Sequence, residues 1–221
     1  MNTYLPGMEA EARKPELSQW FTDPKLARSV WLWANRHERA KSVLEPAAGH
    51  GALIRPIFEN PMECFLVTAV DIDPSCVAVL QRLVGQVSQA HRGLWCAVQQ
   101  DFLSDANWDG PGVNDPFDLA LMNAPYEDGQ AEAFVMRALG VAKRVVGIFK
   151  ASIQHGQERF TTLWSRAVVT REVKLARRPS FGIGASGSEG GKTDFVVLEI
   201  VDAPIHAASA YERLVRTETW P

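Results

Sequence analysis

The spacing of hydrophobic positions switches repeatedly between two periods after residue 23. Residues 23–40 carry Leu26, Val30, Trp31 and Trp33 at helical spacing, with Asp23 ahead and Pro24 at a first helical position, which predicts a helix. Residues 42–44 predict a short strand and 52–58 a helical segment. Residues 65–70 form a continuous apolar run, as in a strand covered on both faces. A helix over 74–89 has Val77, Leu80 and Val84 on one face. Strands follow at 94–98 and 117–122, a helix at 130–142, a strand at 145–149 and a helix at 158–166. Two strands, 168–175 and 195–201, flank a glycine-rich stretch with no helix between them. They are antiparallel neighbours or they lie far apart.

Strands alternating with helices predict an α/β domain with a mostly parallel sheet and helices on both faces. Such sheets bind ligands at the carboxyl ends of their strands, near the point where strand order reverses. The residues after each strand are therefore the candidates for chemistry. After the first come Glu45-Pro46-Ala47-Ala48-Gly49-His50-Gly51, small residues that let the backbone pass close to a ligand. The spacing is not the GxGxxG of dinucleotide-binding turns. After the second comes Asp71-Ile72-Asp73-Pro74, where a carboxylate can accept both hydroxyls of a ribose. Asp71 and Asp73 can equally cap the helix starting at Pro74, and Asp73 is better placed for that. After the third comes Asp101-Phe102, an acceptor for an adenine amino group and an aromatic to cover its ring. After the fourth comes Asn123-Ala124-Pro125-Tyr126.

Composition narrows the class. The chain has 221 residues, room for one ordinary domain, with 46% hydrophobic and 22% charged residues. No apolar stretch is long enough to span a bilayer, and residues 1–14 do not form a signal peptide, so a cytoplasmic location is expected. Cys64, Cys76 and Cys96 lack CxxC spacing and the five histidines are scattered, so neither a metal site nor a disulfide frame is expected. His50 reads as a local hydrogen-bonding residue, and Trp20, Trp31, Trp33 and Trp95 as packing residues.

The four strand-end motifs together resemble the class I S-adenosylmethionine-dependent methyltransferases that methylate the N6 amine of adenine in DNA. Residues 43–51 match that family's first motif, Asp71-Ile72-Asp73-Pro74 the second, Asp101-Phe102 the third, and Asn123-Ala124-Pro125-Tyr126 the catalytic Asn/Asp-Pro-Pro-Tyr. Phe21-Thr22-Asp23-Pro24 resembles the Thr-Pro-Pro element that closes over the methionine end of the cofactor. The resemblance spans about residues 20–200. It implies a Rossmann-like fold with a mostly parallel seven-stranded sheet ending in an antiparallel strand pair. It implies S-adenosyl-L-methionine as cofactor, held by Thr22, Glu45, Pro46, Ala47, Gly49, Gly51, Asp71, Ile72, Asp101, Phe102 and Asn123. It makes Asn123, Ala124, Pro125 and Tyr126 catalytic, with Tyr126 stacked on the target base. Ala124 replaces the motif's first proline but still offers the backbone carbonyl that the family uses.

The expected partner is nucleic acid, DNA ahead of RNA, with no membrane and no metal. Methylation of RNA adenine, or of a glutamine side-chain amide in a protein, is the alternative on the same motif. A catalytically degenerate partner protein ranks third, because Asn123, Asp71 and Asp101 are all present. The whole chain reads as one methyltransferase domain with no separate target recognition domain. Residues 1–19 are expected to be flexible and 177–194 to form a mobile target loop. Short or relaxed sequence specificity follows, with a recruiting protein partner or a homodimer as the other route to selectivity. Although residues 182–193 end like a phosphate-binding loop, the first glycine is missing and a strand follows, which excludes that reading. Phe181 can pack on the target base or be an ordinary core residue at a strand end.

Charge adds one point. The net charge of −3 hides an asymmetry: residues 144–192 hold nine Lys and Arg against three Asp and Glu, whereas 101–128 hold seven acids and no Lys or Arg. A basic flank near the target loop, with Arg177, Arg178 and Lys192 on the substrate, is the expectation, and a solvated basic face is its alternative.

Overall fold

The computed structural model describes residues 21–59, 64–86, 94–104, 115–127, 129–176, 179 and 193–202, and the backbone of 216–220. The parallel strands run β1 (Ser42–Glu45), β2 (Leu66–Asp71), β3 (Trp95–Gln99), β4 (Leu119–Met122) and β5 (Val145–Lys150). β6 (Ala167–Leu175), β7 (Phe195–Asp202) and β8 (Arg216–Trp220) complete one sheet in the order β3-β2-β1-β4-β5-β7-β6-β8. β7 is antiparallel to both β5 and β6, which settles the arrangement of the last two expected strands: they are antiparallel neighbours. β8 was not foreseen. It pairs parallel to β6, and its Arg-Thr-Glu-Thr-Trp sequence has no apolar run to announce it.

Strand alternation builds two cores. Val43, Leu119, Leu121, Val146 and Ile148 point to one face, against α1 (Pro24–Ala34), α2 (Arg55–Glu59) and α3 (Pro74–Gly85). Leu44, Ala120, Met122, Val145 and Phe149 point to the other, against α4 (Gln130–Leu139) and residues near α5 (Gln157–Thr162). The period of two thus buries both faces of every central strand. Trp31, Trp33 and Trp95 are buried, as expected of packing residues.

Helix ends follow local chemistry. Asp23 accepts from the Lys25 and Leu26 amides and caps α1, with Pro24 at its first turn. α1 ends at Ala34, short of the expected residue 40, because Asn35 turns the chain: its side-chain oxygen accepts from the Ala40 amide at 2.7 Å. Asp73 caps α3 by accepting from the Ser75 amide and hydroxyl at 2.9 and 2.8 Å, the cap role anticipated for it. At the amino end of the sheet, Asp118 accepts from the Lys41 and Ser42 amides, and its own amide donates to the Ser42 hydroxyl. That clasp seats β4 beside β1. With β2 on the other side of β1, the strand order reverses there, and a crevice opens at the carboxyl ends of β1 and β4.

The basic flank is corrected in part. Arg144 and Arg171 are buried, and both bind the Glu199 carboxylate: Arg144 Nη1 at 3.0 Å, Arg171 Nε at 3.0 Å and Arg171 Nη2 at 2.5 Å. The Arg171 guanidinium also lies 4.2 Å from the centre of the Trp33 ring. Arg159 pairs with Glu132. Of the six of these basic residues that the structure describes, Arg144, Arg159 and Arg171 are therefore bound to carboxylates. Arg144 directly precedes β5, and Glu199 pairs with Val146, so this cluster sits at the end of the sheet opposite the crevice. The sequence window missed it because the counterion, Glu199, lies outside residues 144–192.

Candidate active site

A cleft of about 260 Å³ occupies the crevice. Its walls include Thr22, Glu45, Pro46, Ala47, Gly49, Asp71, Ile72, Asp101, Phe102 and Asn123, ten of the eleven residues assigned to a cofactor from sequence. Gly51 is not on the wall. It stands at φ +74°, and a Cβ there would meet Leu80 at 2.9 Å, so it lets the turn pack on α3.

Asp71 joins β2 to the glycine turn. One oxygen accepts from the Gly49 amide at 2.7 Å and the other from the Asp73 amide at 2.8 Å. A carboxylate has about four acceptor sites, so it can still accept from a ligand. Burial, with the nearby Asp73 charge, pushes its pKa up, against the pull of the Asp73, Gly49 and Ile72 amides. Glu45 is buried at the end of β1, and one of its carboxylate oxygens is buried without a hydrogen-bond partner. Burial, then the Asp71 charge, holds its pKa well above the usual carboxylate range. Two crowded acids with an orphaned oxygen form a site short of a cation or a hydrogen-bond donor. Asp101 accepts from the Leu103 amide at the end of β3, and the Phe102 ring is packed against Phe134 at 5.5 Å.

The Asn123-Ala124-Pro125-Tyr126 segment leaves β4 beside this cleft. Asn123 Nδ2 donates to Thr22 Oγ1 at 3.0 Å, and the Tyr126 hydroxyl donates to Asn123 Oδ1. Ala124 is buried and Pro125 lines the cleft. Burial, with the nearby Glu127 charge, raises the Tyr126 phenol well above its ordinary pKa, so it stays a neutral donor. The Tyr126 ring meets Phe195 edge-on at 5.4 Å, and the Lys150 ammonium lies 5.4 Å from its centre.

Several wall residues escaped the sequence reading. Gln100 directly follows β3, and Gln130 and Phe134 lie on α4. Lys150 and Phe195, which flank Tyr126 rather than line the cleft, end β5 and begin β7 and pair with each other across the sheet. The strand-end rule could have found Gln100 and Lys150; Phe195 needed the antiparallel register. His50, expected to make local hydrogen bonds, stacks on Phe21 with ring centres 4.3 Å apart. Arg177, Arg178, Phe181 and Lys192 lie outside the described residues, as do Trp20, residues 1–19 and nearly all of 177–194. Among the described residues, no group of His, Cys, Asp or Glu could hold a metal ion, and no helix is long and apolar enough to cross a membrane.

The mostly parallel sheet, its reversed strand β7 and the cleft at the β1–β4 reversal define the Rossmann-like fold of class I methyltransferases. A candidate RNA methyltransferase from Pyrococcus horikoshii superposes with a TM-score of 0.64 at 19% identity, over 88% of this chain and 91% of that one. The methyltransferase subunit of a type I restriction-modification system from Streptococcus thermophilus gives 0.61 at 12% identity; this chain covers 47% of its length, and 86% of this chain is matched. Magnesium protoporphyrin IX methyltransferase from Synechocystis, solved with bound SAM, gives 0.56 at 18% identity over 81% of this chain and 79% of that one. At these identities the likeness establishes the fold. No family model matches the chain, and no curated protein matches it.

Proposed function

We propose that this protein transfers a methyl group from S-adenosyl-L-methionine to the N6 amine of adenine in nucleic acid, with DNA the first candidate. The observation carrying the reading is the Asn123-Ala124-Pro125-Tyr126 turn opening beside a cleft walled by Glu45, Asp71 and Asp101. The cleft fits the cofactor's chemistry. Glu45 has an unpaired buried oxygen for an ammonium. Asp71 can accept from vicinal hydroxyls, and Asp101 with Phe102 suits an adenine amine and ring. S-adenosyl-L-methionine, when bound, supplies an electrophilic methyl group. The fold neighbours include proteins described as methyltransferases of RNA and of a restriction-modification system, which supports a nucleic-acid acceptor.

The remaining work falls to the chain. The exocyclic amine of adenine is a poor nucleophile because its lone pair is delocalised into the ring. Asn123 Oδ1 and the Ala124 carbonyl, two acceptors in sequence, can take its two N–H bonds and draw the nitrogen toward tetrahedral geometry. Positive charge builds on the nitrogen as the methyl arrives, so no strong base is required. Positioning and electrostatic stabilisation carry the rate. Tyr126 offers its ring to a base flipped out of its stack, with Phe195 supporting that ring edge-on and Lys150 adding positive charge beside it. Short or relaxed sequence selectivity remains part of the proposal.

The test is incubation with methyl-labelled cofactor and separate DNA, RNA and protein acceptors, for the wild type and Asn123→Ala. Label in DNA that disappears in the variant, with cofactor affinity kept in calorimetry, is the expected result. Label in RNA alone moves the substrate. Label in protein alone, or cofactor binding lost with the Asn123 side chain, overturns the reading.

A further inference from the structure

Lys150 is the last residue of β5, beside β4, whose carboxyl end leads into Asn123. Its ammonium lies 5.4 Å from the centre of the Tyr126 ring, and the residue is half-buried. The other described basic residues between 144 and 192 are placed differently. Carboxylates hold Arg144, Arg159 and Arg171. Arg166 precedes β6 and stands at the opposite end of the sheet. Lys174 is in register with Val196 and Phe149, on the face away from Lys150 and Phe195. Among the described residues, no carboxylate pairs with Lys150. Its charge is therefore available on the crevice side of the sheet.

The Tyr126 hydroxyl donates to Asn123 Oδ1, so the amide stands at the hydroxyl end of the ring. An adenine stacked on that ring with its N6 amine at Asn123 has N9 on its far edge. The sugar and its two flanking phosphates leave the site from that edge, over the rim that Lys150 occupies. The rim is open and polar: Ser152, His155 and Gln157, which follow β5, are exposed. A phosphate oxygen is a stronger partner for an ammonium than an aromatic face, because the hydrogen bond is charge-assisted. The flexible four-carbon stem lets the ammonium pass from one to the other by rotation about its own bonds.

We propose that Lys150 forms a phosphate subsite: its ammonium leaves the Tyr126 ring and binds a phosphodiester beside the target adenosine as the base stacks. The proposal rests on the function proposed above and adds the contact that holds the backbone of the flipped nucleotide. Phosphate contacts set register and affinity without reading sequence. That suits an enzyme of relaxed selectivity.

The experiment starts from an adenine-containing DNA duplex that the wild type methylates, with the labelled adenosine located by sequencing. Binding is measured by fluorescence anisotropy over a salt series for wild type, Lys150→Gln and Lys150→Arg, and melting temperatures report folding. Lys150→Gln is expected to weaken binding roughly fivefold at low salt and to reduce the slope of log K against log salt by about 0.9, the share of one phosphate. Lys150→Arg is expected to keep both. The duplex is then made with a neutral methylphosphonate on the 5′ or the 3′ side of the target adenosine. One of the two is expected to weaken wild-type binding roughly fivefold and to leave Lys150→Gln binding within about twofold. The methylphosphonate arm on the wild type needs no variant to fold. A methylphosphonate penalty that is absent from wild type, or equal in wild type and Lys150→Gln, overturns the proposal. So does lost affinity with an unchanged salt slope, the result if Lys150 only supports the Tyr126 ring. These outcomes leave the proposed function standing. A wild type that methylates no adenine in DNA overturns that as well.

Discussion

Replacing Glu199 by glutamine keeps the shape of the side chain and removes the charge between two buried guanidinium groups. In the native protein the carboxylate accepts from Arg171 at 3.0 and 2.5 Å, Arg144 at 3.0 Å and the Thr170 hydroxyl at 2.8 Å. Removing one partner of a buried ion pair costs about 3–5 kcal/mol, because the remaining charges stay buried. Backbone carbonyls moderate the loss here: Arg144 also donates to Ala34 and Glu38, and Arg171 to Trp33. The lower end, about 3 kcal/mol, is therefore expected. For a chain of this size that lowers the melting temperature by about 6–12 °C. The effect depends on pH with a defined sign. The Arg171 and Thr170 hydrogen bonds hold the Glu199 carboxyl below its ordinary pKa despite burial. Its contribution is complete above that ordinary value, about 4.3, and is lost as pH falls through the lower folded pKa. Urea titrations of both proteins at several pH values should show a gap that is full at pH 7 and narrows in acid. A gap under about 1 kcal/mol at pH 7, or one that widens in acid, would refute the ion cluster as a load carried by Glu199.

Other consequences differ in sign and place. Glu45 has a raised pKa, so its ionisation costs stability as pH rises from the ordinary carboxylate value through the raised one. Glu45→Gln should therefore gain on the wild type over that window in thermal melts, while cofactor affinity falls; a pH-independent difference would count against a desolvated carboxyl. Asp71→Ala removes acceptors from two backbone amides and from the ribose position, and should weaken cofactor binding at least tenfold by calorimetry while loosening the glycine turn. Gly51→Ala places a side chain at φ +74° and near Leu80, and should cost about 1–2 kcal/mol in urea melts.

Much of the fold was legible because the central strands are buried on both faces and write themselves as apolar runs, as at residues 66–70 and 145–149. The strand-end rule then gathered Glu45, Asp71, Asp101 and Asn123, which are far apart in sequence and share one cleft. What escaped depends on pairing between distant segments. β8 is polar and gains its place from β6. Phe195 reaches Tyr126 only because β7 runs antiparallel to β5. The positive charge of the C-terminal third read as a flank for phosphate, and Glu199 neutralises part of it inside the sheet. Charge counted along a window says little about charge on a surface.

The central claim is the identity of the methylated atom. DNA treated with the protein and deuterium-labelled S-adenosyl-L-methionine, digested to nucleosides and analysed by mass spectrometry, reports it directly. The account predicts labelled N6-methyladenine from the wild type and none from Asn123→Ala. Label on cytosine, or DNA left without label, would contradict it.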